Sequence, residues 1–486
     1  MPLEDYITTI GLEVHVQLKT QTKMFCGCEV SFGEETNTNT CPVCLGLPGA
    51  LPVLNEQAIE DTILAGLSLG CGINSISKWD RKNYFYPDMP KDFQLTQFDL
   101  PLCINGGVPL YDYSYPKDAQ KNISEPSKVV QLNRIHLEED VAKSTHHAAY
   151  TSVDFNRAGT PLMEIVSEPD LDNAEQVVAY LNSLRQILLY SGVSDADMEK
   201  GQMRCDVNIS LRPKGTEELG AKVELKNLNS ISAIRRAVHH EEWRQAKELD
   251  EGIAQIQSTR RWDDDRGETS PMRTKEDAHD YRYFPEPDLL PVDTTELHEA
   301  AKKRVPELPH EKAERFQKEF KVSEYDASVL SSDYDLAVYF EEGTKTTTHA
   351  KKLANWIINN TLGELNERSL ELAEFPVKSP QLAALVNLVE GDQVSGNQAK
   401  EVFSDMADTG RDPEVVAKEK GFEPMEDDGS LAEFCDQVIA ENPDPVAEIK
   451  GGNAKAIGFL VGQVMKLSQG KANPKTVSGL LREKIG

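Results

Sequence analysis

The sequence predicts an α+β fold: a strand-rich domain over residues 1–290, an all-α domain over 291–410 and a small helical tail domain over 411–486. Three observations carry this. Up to Leu290 the chain repeatedly alternates apolar and polar residues between turn-forming clusters, whereas after Pro291 the segments Glu296–Arg304, Glu311–Phe320 and Lys351–Thr361 follow helical spacing with charged faces. The length of 486 residues also exceeds the roughly 250 to 300 at which a single core stops growing.

The first strand is the most informative. From Ile10 to Leu18 the alternation sends Leu12, Val14, Val16 and Leu18 to one face and Glu13, His15 and Gln17 to the other. Side chains two apart on a strand start about 7 Å from each other, so Glu13 and His15 can reach one cation. A merely solvated amphipathic strand is the competing reading, and this strand alone does not separate the two.

Next come four clustered cysteines: Cys26 and Cys28, a turn-rich loop with Gly33, Asn37 and Asn39, then Cys41 and Cys44. Two close thiolate pairs joined by a loop suit a closed tetrahedral Zn²⁺ site that braces the fold, with a redox pair or unliganded thiols as the alternative. Cys71, Cys103, Cys205 and Cys435 are scattered and read as packing residues.

Asn55–Gly70 reads as a helix with Asn55 as its N-cap and Gly70 as its stop. Gly66–Gly70 within it spells G-x-S-x-G, but a nucleophile elbow joins a strand to a following helix, so Ser68 is rejected as a nucleophile. There is no G-x-x-x-x-G-K-[ST] loop, and any ATP chemistry must hold phosphates by other means.

Three later segments repeat the logic of the first strand. Arg134–Asp140 carries His136, Glu138, Glu139 and Asp140; Met203–Arg212 alternates Arg204, Asp206 and Asn208 with apolar residues; Lys222–Lys226 does so with Glu224 and Lys226, followed by Asn227 and Asn229. Oxygen donors beside cations suit Mg²⁺, which takes one or two carboxylates together with water and substrate phosphates. Phosphoryl transfer needs that equipment, since it rests on positioning and charge neutralisation. The stretches Asp80–Lys91 and Tyr281–Asp288 mix aromatic, cationic and acidic residues; such segments can stack a base and neutralise phosphates, or pack as ordinary loops.

With 81 Asp and Glu against 52 Lys and Arg the net charge is -29, which argues against nonspecific adhesion to nucleic acid or anionic membranes. No apolar run reaches the roughly 18 residues of a membrane span, and Met1–Tyr6 lacks the basic and apolar regions of a signal peptide, so a cytoplasmic protein without membrane contact is expected. The last 37 residues oppose the rest, with Lys450, Lys455, Lys466, Lys471, Lys475, Arg482 and Lys484 against Glu483 alone. A solvated helical face and a docking site for a polyanion both fit.

Taken together, Ile10–Leu18, Asp80–Pro90, His136–Asp140, Arg204–Asn208, Glu224–Ser230 and Arg282–Asp288 resemble the B-subunit family of the bacterial aspartyl/glutamyl-tRNA amidotransferases along essentially the whole chain, including Gly458–Gln463 in the tail. Trp79, where the family usually has Phe, and Asp92, where Gly is common, are departures beside the charged motifs.

The resemblance implies a cradle-like catalytic domain with a zinc-binding loop, a helical domain and a tRNA-binding tail, in a heterotrimer with an amidase subunit and a small third subunit. It implies ATP-dependent phosphorylation of the side-chain carboxylate of Glu on tRNA(Gln) or Asp on tRNA(Asn), then displacement of phosphate by ammonia from the amidase. Carried over by position, Glu13, His15, Glu139 and Glu224 are the metal set, Asp206 joins them in catalysis, and Lys82, Arg204, Asn208 and Lys226 bind or support the nucleotide. Alternation puts Glu138 on the side of His136 while the resemblance favours Glu139. Cys26, Cys28, Cys41 and Cys44 correspond to the family's zinc ligands, which some members lack. The rival expectations are a noncatalytic tRNA-binding scaffold in the same complex and a Mg²⁺-dependent phosphohydrolase acting alone.

Overall fold

The computed structural model describes residues 2–123, 125, 128–274, 281–422, 430–450, 456–468, 472 and 474–485. The chain divides into one unit over Met1–Pro309 and another over His310–Gly486.

The first unit is built on one large sheet. Its main strands are β1 (Tyr6–Gln17), β2 (Asp80–Asn83), β3 (Phe93–Thr96), β4 (Val129–Glu139), β5 (Pro161–Ser167), β6 (Met203–Pro213), β7 (Val223–Lys226), β8 (Ser258–Asp263) and β9 (Glu268–Thr274). Across the sheet they run β9-β8-β7-β6-β1-β5-β4-β3-β2, so the informative first strand lies at the centre. Along this path the neighbours are antiparallel except β7 and β8. A parallel pair needs a crossover, and the helix α3 introduced below supplies it.

The three long helices of this unit are α1 (Glu56–Ser68), α2 (Ala174–Ser191) and α3 (Ile231–Asp250), and a short helix, Thr295–Lys302, follows them. Each of the three long helices starts on a polar cap, Asn55, Asn173 and Ser230, whose side chain accepts a hydrogen bond from a first-turn backbone N–H. They join one core with the apolar face of the sheet, where Leu12, Val14 and Val16 of β1 are buried with Ile135, Leu137, Met163, Ile165, Cys205 and Val207. Burial of one face fixes the strand register, because a slip of one residue would exchange the two faces.

The G-x-S-x-G string lies in the last turn of α1 and just beyond it. Ser68 Oγ is buried and donates to the carbonyl of Leu64 at 2.9 Å, as a helix serine does. The glycines have other reasons: a Cβ on Gly66 would stand 2.5 Å from Cys103 Sγ, and Gly70 has φ +69°. Asp92, by contrast, holds φ 60° without being glycine, in the turn that carries Lys91.

Helices are the only regular elements among the described residues of the second unit. Phe340 meets Phe316 and Phe320 edge-on in one part of its core. A five-residue π turn, Ile357–Thr361, links the helix Ala350–Trp356 to Leu362–Arg368. In the last part, Leu431, Cys435, Val438, Leu460, Val464, Val477 and Leu481 form a core of their own. Glu441–Asp444 reads as a loop in the sequence, yet one helix runs to Glu441 and the next starts at Pro443, a residue suited to a first helical turn. Of the basic tail residues, Lys450, Lys466 and Arg482 are exposed, Lys484 pairs with Asp436 at 2.7 Å, and Lys455, Lys471 and the side chain of Lys475 lie outside the described residues.

Candidate functional site

On the sheet face opposite the helices, one rung of direct cross-strand partners runs His136 (β4), Glu164 (β5), His15 (β1), Arg204 (β6). Alternation makes this possible, since each of the four stands between two buried apolar residues of its strand. Glu138, two residues beyond His136, points the same way. Nε2 of His15 lies 3.5 Å from Glu164 and 3.8 Å from Glu138, and Nε2 of His136 lies 3.1 and 3.8 Å from the same carboxylates. One donor atom each from His15, Glu138 and Glu164 falls within 4.8 Å of the others, a spacing that can hold a metal ion. One imidazole and two carboxylates leave room in the coordination sphere for water or phosphate oxygens.

These groups are charged in pairs. Burial works against a proton on His136, but the Glu164 and Glu138 carboxylates outweigh it and raise its pKa to about 9; burial opposes and Glu164 likewise raises that of His15. Against the cost of burial, the carboxyls of Glu138 and Glu164 are held below their ordinary range, chiefly by His136. A divalent ion would therefore take the place of a proton on His15.

The cleft over this rung, about 280 Å³, is lined by His15, Lys82, Glu138, Asp140, Arg204 and Asp206 among others. Lys82 keeps its charge despite burial because Glu138 faces it, and its ammonium sits 5.1 Å above the ring of Tyr281. Arg81 is turned away and locked on Glu286 by bonds of 2.6 and 2.9 Å. Asp140 is buried, accepts from Gln17 at 2.7 Å and pairs with Arg204 at 2.9 Å and Arg157 at 3.5 Å.

The other expected residues fall into two further groups. Glu13 stands opposite Asp206 and accepts from Asn208 Nδ2 at 2.9 Å. Lys226 bridges Asp206 and Glu224, the latter at 3.0 Å, and Thr259 donates to Glu224 at 2.8 Å. These residues line the same sheet face as His15, on the β6–β7 side. Glu139 is separated from them: strand alternation turns it to the opposite face, where Lys91 pairs with it and the backbone N–H of Leu95 donates to it at 3.0 Å.

The sulfur atoms of Cys26, Cys28, Cys41 and Cys44 lie within 4.8 Å of one another. With Zn–S bonds of about 2.3 Å a tetrahedral site has sulfur–sulfur edges of about 3.8 Å. Cys41 and Cys44 are 3.8 Å apart, so the thiols fit that ion. The thiol of Cys44 is pulled well below its ordinary range, first by its hydrogen bond with Cys26 and further by the Cys41 backbone and the charge of Lys23.

Sequence reasoning missed Glu164, Asp140 as the partner of Arg204, and Arg157. Glu164 is the lone charge in Pro161–Ser167, and a single carboxylate in an apolar strand was the signal available.

A pH dependence follows from the charged rung. Because His136 is raised from 6.5 to about 9, its stabilising contribution is complete below about pH 6.5 and is lost as pH rises through 9. The depressed carboxyls act oppositely, contributing above their ordinary range and failing as pH falls through their lowered values. Denaturant unfolding at stepped pH is expected to show a decline on the order of 2 to 3 kcal/mol between pH 6.5 and 9 that His136→Gln flattens. An equal decline in that variant would remove His136 as its source.

The family model described as the GatB/GatE catalytic domain matches residues 8–299, and the one described as the GatB domain matches 338–485. The chain is 49% identical over 481 residues to the B subunit of the aspartyl/glutamyl-tRNA(Asn/Gln) amidotransferase of Persephonella marina, covering 99% of each chain. Proteins of the same name from Methylacidiphilum infernorum and a Thermoanaerobacter species are 50% and 48% identical, again over 99% of each chain.

Proposed function

The chain belongs to the family of aspartyl/glutamyl-tRNA(Asn/Gln) amidotransferase B subunits, and on that premise we propose that its charged sheet face activates a tRNA-borne carboxylate with ATP. The substrate would be Glu on tRNA(Gln) or Asp on tRNA(Asn), and the products Gln-tRNA(Gln) or Asn-tRNA(Asn) for translation. The observation that carries this reading is the rung of His136, Glu164, His15 and Arg204 with Glu138 beside it, because it offers metal donors and phosphate-binding cations on one surface.

In this reading His15, Glu138 and Glu164 hold Mg²⁺, which supplies charge neutralisation on the phosphate oxygens. Glu13, Asp206 and Glu224 add a second oxygen-rich patch beside Asn208 and Lys226. Lys82 and Arg204 flank the cleft and offset charge on the group being transferred, while Asp140 fixes the guanidinium of Arg204. A carboxylate oxygen of the aminoacyl group attacks the terminal phosphorus, the bond to the nucleotide diphosphate breaks, and an acyl phosphate results. Ammonia then attacks the acyl carbon, inorganic phosphate leaves, and the amide remains.

Ammonia would come from an amidase partner, in a cytoplasmic heterotrimer completed by a small third subunit. The zinc of the four-cysteine loop is assigned a bracing part only, since four protein ligands leave no open position.

Hydroxylamine added during turnover of the assembled complex tests the reading. A tRNA-bound hydroxamate that requires both ATP and this chain is expected. Its absence, with ammonia transfer intact, would return the chain to the part of a tRNA-binding scaffold.

A further inference from the structure

Lys23, in the segment after β1, is 1% exposed and among the largest wholly buried side chains of the protein. Its ammonium donates to the carbonyl of Asn39 at 2.9 Å and to Cys44 Sγ at 3.8 Å. Among the described residues no carboxylate stands within 4 Å of it. A buried ammonium without a counter-charge costs several kcal/mol, so a lysine kept here calls for a negative neighbour. The thiols are the available one: four deprotonated cysteines around Zn²⁺ carry a net charge of −2.

Lys23 also stands between the cysteine loop and the segment that carries Asp140. Its backbone N–H donates to the carbonyl of Cys28 at 2.9 Å, and a Cβ on Gly159 would touch both its Cδ, at 3.5 Å, and Cys44 Cβ, at 3.4 Å. The backbone N–H of Met24 donates to the carbonyl of Gly159 at 2.7 Å, and that of Gly159 donates to the carbonyl of Asp140 at 2.9 Å. The backbone N–H of Asn39 in turn donates to the side-chain oxygen of Asn156, next to Arg157, at 2.9 Å. The loop and the Asp140–Arg204 pair are therefore two or three hydrogen bonds apart.

We infer that Lys23 is the positioning residue of the zinc centre, its buried ammonium offsetting the charge of the four thiolates and holding Cys44 by an N–H···S bond against the segment that carries Asp140. This rests on the assignment of zinc to the four cysteines. It extends that assignment to a residue that is not a ligand.

The test uses the purified full chain and Lys23→Met, with Zn²⁺ affinity read by competition with a chromophoric chelator. A loss of about 10- to 100-fold is expected, as for other groups that orient metal ligands from outside the coordination sphere. Thermal unfolding should fall in the zinc-loaded variant, while the zinc-free variant unfolds no lower than the zinc-free parent, because methionine removes a buried charge. With Co²⁺ in place of zinc, the thiolate-to-metal absorption should move to lower energy once the N–H···S bond is gone.

Unchanged affinity, or an equal fall in both forms, or an unmoved Co²⁺ spectrum would overturn the role. Should Lys23→Met fail to fold, Lys23→Gln is measured the same way with the same criteria. A parent chain that takes up no Zn²⁺ would overturn the zinc assignment as well, which separates the two failures.

Discussion

Glu164→Gln is expected to lower the proposed tRNA-dependent ATP cleavage by about 100-fold or more while glutamine hydrolysis by the proposed amidase partner stays unchanged. The substitution keeps size and shape and removes only the charge. In the native chain that charge is secure, since His136 and His15 hold the carboxyl well below its ordinary range despite burial. An amide in its place is a weak ligand for a hard cation. It also takes from His15 and His136 the carboxylate nearest to both, at 3.5 and 3.1 Å.

A fold control separates chemistry from collapse, because the side chain is 12% exposed and its loss disturbs a packed rung. Far-ultraviolet circular dichroism and an unbroken thermal transition suffice. Full ATP turnover in a folded Glu164→Gln protein would sink the proposed metal site. The same variant should bind Mg²⁺ more weakly in the absence of nucleotide.

Lys91→Met is expected to cost about 3 to 5 kcal/mol of stability, the usual penalty for leaving one partner of a buried ion pair without the other. Glu139 is 2% exposed and its carboxylate meets the Lys91 ammonium and the backbone N–H of Leu95. The lysine cannot easily swing away. Its stem packs on Gly46, where a Cβ would come 2.5 Å from Lys91 Cγ, and its ammonium lies 5.8 and 5.7 Å from the rings of Phe25 and Phe93.

Denaturant melts of Lys91→Met, Glu139→Gln and the double variant measure the coupling. The double variant should regain a large part of the loss, since no charge is then left unpaired. A loss below about 1 kcal/mol in Lys91→Met would mean that water reaches Glu139 and solvates it.

The fold class was legible because the central strands carry long apolar runs on one face, Ile10 to Val16 in β1 and Met203 to Leu211 in β6. In β1 that pattern is strong enough to separate Glu13 and His15 from Leu12, Val14 and Val16 by eye. The four-cysteine loop was legible for a different reason, as thiols at close spacing have few other uses in a long chain. Arg204 and Asp206 shared the advantage of β1, with apolar residues on either side.

What stayed hidden depended on pairing. Glu164 shows no charged company within its own strand; its partners, His136 and His15, come from strands 28 and 149 residues away, brought together by the β4–β5–β1 register. Neighbouring Glu138 and Glu139 drew opposite indications from alternation and resemblance. In the structure they serve different faces, Glu138 beside the two histidines and Glu139 beside Lys91. Lys23 gave no signal at all, because a lysine in a sequence reads as surface until its burial is known.

Since His136, Glu164, His15 and Arg204 are rung neighbours, the site takes its dimensions from the spacing between strands, about 4.7–4.9 Å, and from no loop. An inserted or deleted residue within β4, β5, β1 or β6 would roll that strand's donors toward the helices and put aliphatic side chains in their place. Length changes in this part of the chain are therefore expected to be tolerated only in the connections between strands.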